Sequence, residues 1–135
     1  MRDLQGGWAD AVQTMNTTAL PGGRPFLRCL KGAYAGYEIP VLPTGILIGR
    51  DSGAHLIFPD TAEVSRYHCR VFYDRRTGYF IVTDLNSKNG IYREDGHRVP
   101  AGEKIVLAPG QVFMLCGDLI IFEVMVKAGM GGTLE

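Results

Sequence analysis

A chain of 135 residues, 46% hydrophobic and 21% charged, has the composition of an ordinary globular protein and is long enough for one domain with a sizeable core. Fourteen basic residues balance fourteen acidic ones, so the charge gives no support for bulk attraction to nucleic acid or to an anionic membrane. The N-terminus has no basic-then-apolar leader. The longest apolar stretch, Ile105 to Val126, is broken by Pro109, Gly110, Gln111, Gly117, Asp118 and Glu123. That is a run of strands and turns, not a membrane span. Cys29, Cys69 and Cys116 are far apart with no C-x-x-C, and read as reduced core or near-core thiols of a cytoplasmic protein. They have no ligand spacing with His55, His68 or His97, so neither a zinc site nor any other cofactor is expected.

Residues 1–24 read as a flexible N-terminal tail. Trp8, Ala11, Val12 and Met15 have roughly helical spacing, compatible with a short amphipathic helix, and Asn16 to Gly23 reads as linker. The 18 glycines and 7 prolines imply many turns, which favours an all-β chain over a helical one. A domain is expected over residues 25–127. Its strands are Phe26–Lys31, Tyr37–Leu42, Thr44–Gly49, Leu56–Phe58, His68–Asp74, Tyr79–Asp84, Ile91–Tyr92, His97–Val99, Glu103–Leu107, Gln111–Leu115 and Leu119–Val126. Tyr37–Leu42 is expected to pair with Thr44–Gly49 around Pro43. His68–Asp74 and Tyr79–Asp84 are expected to form a hairpin across Arg75 to Gly78. About eleven short strands with turn signals between them are the pattern of a β-sandwich. Alternation places Cys69, Val71 and Tyr73 on one face and Arg70 on the other, with Phe80 and Val82 meeting the first set. Residues 128–135 are Gly-rich and read as a C-terminal tail.

Three polar groups punctuate these strands: Gly49-Arg50, Ser65-Arg66-Tyr67-His68 and Asn86-Ser87-Lys88-Asn89-Gly90. Each sits where an apolar run begins or ends, the usual place for a binding surface on a β scaffold. Arg50 and Arg66 supply charged donors, Ser65 a hydroxyl and Asn89 an amide, while Gly90 lets the chain turn. The set suits an anion, and a planar guanidinium suits phosphate oxygens.

GR, then S-R-x-H about fifteen residues on, then D-L-N-S-K-N-G, closely resembles the forkhead-associated (FHA) domain family. The resemblance covers roughly Phe26 to Val126. It implies a phosphopeptide-binding module that recognises phosphothreonine in a partner protein, the substrate of a Ser/Thr kinase, in a signalling or scaffolding role. It implies no enzyme, no nucleic-acid partner and no membrane. By the resemblance Arg50 is the main phosphate ligand, Ser65 donates its hydroxyl to a phosphate oxygen and Arg66 adds a second charge. Asn89 bonds the main chain of the peptide, and Lys88 meets the phosphate or an acidic neighbour, or points to solvent. His68 shapes the binding loop without touching ligand. Gly49 permits close backbone approach, Ser87 ties its loop to itself, and Gly90 supports the turn.

After Gly90 the sequence departs from the family. Ile91 to Gly96 replaces the tight second turn of many relatives with a longer charged one, so sequence preference does not carry over. Thr17-Thr18 loosely resembles the threonine pair that certain bacterial members bind in their own phosphorylated tails, although Asn16 and Ala19 stand where those have acidic residues. Two rival readings are a phosphate-independent interaction scaffold and a hydrolase built on Ser65, His68 and Asp84. Against the latter, Ser65 and His68 are only three residues apart with no strand-turn-helix nucleophile elbow, and no phosphate loop of the Walker type is present.

Overall fold

The computed structural model describes residues 23–128. The helix and the Thr17-Thr18 pair considered above lie outside the described residues. Ten strands follow in chain order: β1 (Arg24–Lys31), β2 (Glu38–Pro40), β3 (Ile46–Gly49), β4 (Leu56–Ile57), β5 (Cys69–Asp74), β6 (Tyr79–Asp84), β7 (Ile91–Arg93), β8 (Lys104–Leu107), β9 (Val112–Leu115) and β10 (Ile120–Lys127). They form two five-stranded sheets, β2-β1-β10-β9-β7 and β4-β3-β5-β6-β8, with no helix among the described residues and therefore none that could cross a membrane.

The core lies between the sheets and follows from alternation along each strand. On β5, Cys69, Val71 and Tyr73 turn inward, opposite Asp84, Val82 and Phe80 of β6. From the other sheet come Leu27, Cys29, Phe113, Leu115, Phe122 and Val124. Phe122 stacks on Phe113 at 5.3 Å between centroids and meets Phe58 edge-on at 6.4 Å. Such aromatic pairs add about 0.5–1.5 kcal/mol each beyond the area they bury.

Two expectations are corrected. Tyr37–Leu42 does not pair with the strand after Pro43. The turn at Gly32 to Gly36 folds β2 back onto β1, with Phe26 opposite Pro40, while β3 joins the other sheet beside β4 and β5. Proline donates no ladder bond, so β2 is tolerated only as an edge strand, and the chain changes sheets through the turn closed by Gly45 N–H on Leu42 O at 2.7 Å. The strand expected at His97–Val99 reduces to a single bridge between Tyr92 and Arg98. The ladder stops because Pro100 follows, leaving ten strands rather than eleven. The charged segment before it is a three-residue hairpin loop, Glu94-Asp95-Gly96, with Gly96 at φ 93°. Arg93 N–H donates to His97 O at 2.9 Å and Gly96 N–H to Arg93 O at 2.8 Å.

Candidate functional site

Strand β3 ends, β5 begins and β6 ends at the same edge of one sheet, because β3 and β6 both run antiparallel to β5. The three loops that leave this edge carry the three polar groups. Gly49 fits between them because it has no side chain. A Cβ there would lie 2.0 Å from the Arg66 carbonyl oxygen. Across that close approach, Arg50 N–H donates to Ser65 O at 3.0 Å and Asp51 N–H to Arg66 O at 3.2 Å.

Arg50 belongs by parity to the inward face of β3, but the strand has ended. Its Nε donates to Val64 O at 2.9 Å, which anchors the half-buried side chain by one nitrogen of its guanidinium. Arg66 and Lys88 are exposed and have no ion pair among the described residues. Ser65 Oγ accepts the Lys88 backbone N–H at 2.9 Å and keeps its own hydroxyl proton to donate. Asn89 Nδ2 donates to Glu63 O at 2.8 Å. The structure thus brings Arg50, Ser65, Arg66, Lys88 and Asn89 together on three interlocked loops, none of them isolated from the others.

Behind these residues lies a layer of buried polar groups. His68 is fully buried. Its Nδ1 accepts the Ser65 N–H at 3.0 Å, so Nδ1 carries no proton, and Nε2–H donates to Gly90 O at 2.9 Å. Burial holds the His68 pKa below its ordinary value, opposed chiefly by the bond to Gly90. Ser87 Oγ donates to Asp84 Oδ1 and accepts Gly90 N–H at 3.0 Å. Asp84 Oδ2 accepts Gly102 N–H at 2.9 Å. Asn86, at φ 58°, and Gly90, at φ 78°, turn the loop at its two ends.

These contacts exclude the triad. Both ring nitrogens of His68 are spent on backbone groups, and the Asp84 carboxylate faces Ser87 and Gly102 instead of His68. Neither His68 nor Asp84 is placed to activate the Ser65 hydroxyl. Among the described residues no cluster of His, Cys, Asp or Glu is placed to hold a metal ion.

Several supporting residues carry no signal in the sequence motifs. Arg98 Nη2 donates to Ser87 O at 3.3 Å and Lys88 O at 3.2 Å, and its Nε lies 2.3 Å from where a Cβ on Gly90 would stand. Asp51 Oδ2 accepts Gly53 N–H at 2.8 Å and the Tyr67 hydroxyl at 2.9 Å, and these two bonds hold its pKa low. Cys116 donates its N–H to Gly90 O at 3.1 Å and its thiol to Glu63 O at 3.3 Å. Burial pushes that thiol up to about 11. Only the bare presence of arginine and cysteine near the strand ends could have pointed to them.

The FHA domain family model matches residues 46–116, more than half of the chain. No curated protein matches the chain. Among solved structures, the FHA domain of the CT664 protein from Chlamydia trachomatis is 25% identical, with 78% of this chain and 100% of that one covered at a TM-score of 0.66. An FHA domain solved in a structural and functional analysis of phosphothreonine-dependent FHA domain interactions is 27% identical, with 77% and 97% covered at 0.61. The FHA domain of an Arabidopsis thaliana hypothetical protein is 24% identical, with 86% and 96% covered at 0.69, a likeness of fold. With the family motifs on three interlocked loops of a ten-stranded β-sandwich, the chain belongs to the FHA domain family.

Proposed function

We propose that the chain is a phosphopeptide-binding module that recognises phosphothreonine in a partner protein modified by a Ser/Thr kinase. The observation that carries this reading is the convergence of Arg50, Ser65, Arg66, Lys88 and Asn89 on loops backed by His68. Phosphothreonine brings a charge of about −1.5 to −2 and three strong acceptor oxygens. Arg50 retains the terminal nitrogens of its guanidinium for them, Ser65 its hydroxyl proton, and Arg66 and Lys88 their unpaired charges. Asn89 retains its amide oxygen and a second amide hydrogen for the peptide main chain. Two or three charge-assisted bonds at about 1.5–3 kcal/mol each reach micromolar affinity, about 8 kcal/mol, only with the help of main-chain contacts once ordering costs are met.

The phosphothreonine-dependent interactions of a 27% identical FHA domain support the same assignment. FHA domains are interaction modules, and the occupied nitrogens of His68 argue for binding without catalysis. The binding unit is proposed to span residues 25–127, with a signalling or scaffolding role. The test is an oriented phosphothreonine peptide library read beside phosphoserine and unphosphorylated copies. Selective retention of the phosphothreonine peptides supports the reading, and equal retention of unphosphorylated peptides overturns it.

A further inference from the structure

The outer face of the sheet that carries the site holds two ordered rows of side chains. One step in from the loop edge, Arg70, Thr83 and Lys104 stand side by side on β5, β6 and β8. One step further, Phe72, Ile81 and Val106 form a parallel row, with Tyr79 beside it. The apolar row faces solvent: Phe72 is 37% exposed, Tyr79 46% and Val106 56%. A contiguous apolar strip on a sheet face marks an interaction surface far better than scattered exposed side chains do. Arg70 and Lys104 are exposed and have no ion pair among the described residues.

Position and charge select the occupant. Arg70 lies two residues beyond His68 and Thr83 one before Asp84, so the basic row adjoins the proposed binding loops. At about 3.3 Å per residue, it stands roughly 7 Å from His68 along β5, and the apolar row roughly 13 Å. A segment leaving the loops and crossing the face therefore meets two cations first and an apolar strip second. Within about six residues of the phosphothreonine an extended chain reaches both rows.

We infer that this face is a second docking surface for the phosphorylated partner, taking a segment near the phosphothreonine that carries acidic residues and then apolar ones. The inference rests on the phosphopeptide reading. Acidic side chains pair with Arg70 and Lys104, and the apolar side chains that follow cover Phe72, Ile81 and Val106. The loops then read the phosphate and the sheet face reads its flank, which raises affinity through the linkage of two weak contacts.

Calorimetry of the full chain with alanine-based phosphothreonine peptides tests this. One peptide is short, one is extended at either end by Asp-Glu-Leu-Phe-Leu, and one carries Gly-Ser extensions of equal length. The acidic–apolar extension is expected to bind roughly ten-fold tighter than the Gly-Ser one. That gain should vanish in the Arg70→Glu, Lys104→Glu double variant and in Val106→Glu, while the short peptide binds every protein alike. Equal affinity for the two extensions, or a gain that survives both variants, overturns the inference and leaves the phosphopeptide reading standing. A short peptide that does not bind overturns that reading instead. The face is then judged by the amide resonances of Arg70, Phe72, Ile81 and Val106 with the unphosphorylated acidic–apolar peptide: a shift upholds the docking surface, and no shift overturns it. Self-association abolished by Val106→Glu assigns the face to a second copy and also overturns the inference.

Discussion

His68 and Gly90 are joined by a buried hydrogen bond of 2.9 Å that spans 22 residues of sequence. With the Ser65 N–H on its other nitrogen, the imidazole bridges the loop before β5 and the loop after β6. It sets the spacing between Ser65 and Asn89 from behind.

Replacing His68 with alanine removes both bonds, leaving the Ser65 N–H without its acceptor and Gly90 O with the Cys116 N–H alone. Stability should fall by about 2–4 kcal/mol, and phosphopeptide affinity should fall with it. Denaturant melts and calorimetry on the same variant check this. Loss of binding with an unchanged melt would show that His68 acts on the ligand directly.

The same histidine sets a pH dependence. Burial depresses its folded pKa below the ordinary value of 6.5, so the unfolded chain takes up the proton first as pH falls. Its contribution is therefore complete above 6.5 and is lost as pH drops below that value and through the folded pKa. Protonation also places a hydrogen on Nδ1 against the Ser65 N–H, so the loop should open over the same range. Urea midpoints from pH 8 to pH 5 should decline in the wild type and decline less in His68→Gln.

Arg50→Ala should reduce phosphothreonine-peptide affinity at least roughly a hundred-fold, the loss of two charge-assisted bonds. Its bond to Val64 O is worth about 1 kcal/mol of stability, so the fold should persist. Arg66→Ala should weaken binding by only about 1 kcal/mol because its charge is exposed. Calorimetry with one peptide and both variants gives the ranking, and equal losses would reverse it.

Gly49→Ala should cost about 3 kcal/mol, because its Cβ would press 2.0 Å from a backbone oxygen and the backbone must shift. Gly49 does not lie in the left-handed region, so the cost is steric. Gly36→Ala is the comparison: nothing lies within 4 Å of its Cβ, and its φ of +92° costs about 1–2 kcal/mol. Thermal melts of the two variants separate crowding from conformational strain.

Asp84→Ala should cost about 3 kcal/mol by leaving the Ser87 hydroxyl and Gly102 N–H without their acceptor. The loop that carries Lys88 and Asn89 should lose order at the same time. Amide exchange at Ser87 to Gly90 reads that loss. Unchanged protection would mean that the bonds to Ser65, Glu63, His68 and Arg98 suffice to hold the loop without Asp84.

The alternation of Cys69, Val71 and Tyr73 against Phe80 and Val82 was legible in the sequence, because side-chain period along a strand is a local property. So were the β-sandwich class and the order of the three polar groups, each attached to the end of an apolar run. The sequence also carried the close approach at Gly49, but not what approaches it. Only the tertiary structure decided that β2 turns back to β1 and that His97–Val99 makes one bridge instead of a strand. It alone brought Arg98 under the Asn86–Gly90 loop and spent both nitrogens of His68 on backbone. These features depend on which distant groups compete for the same donors and acceptors. That competition is settled when the two sheets close on each other, and periodicity within one strand holds no record of it.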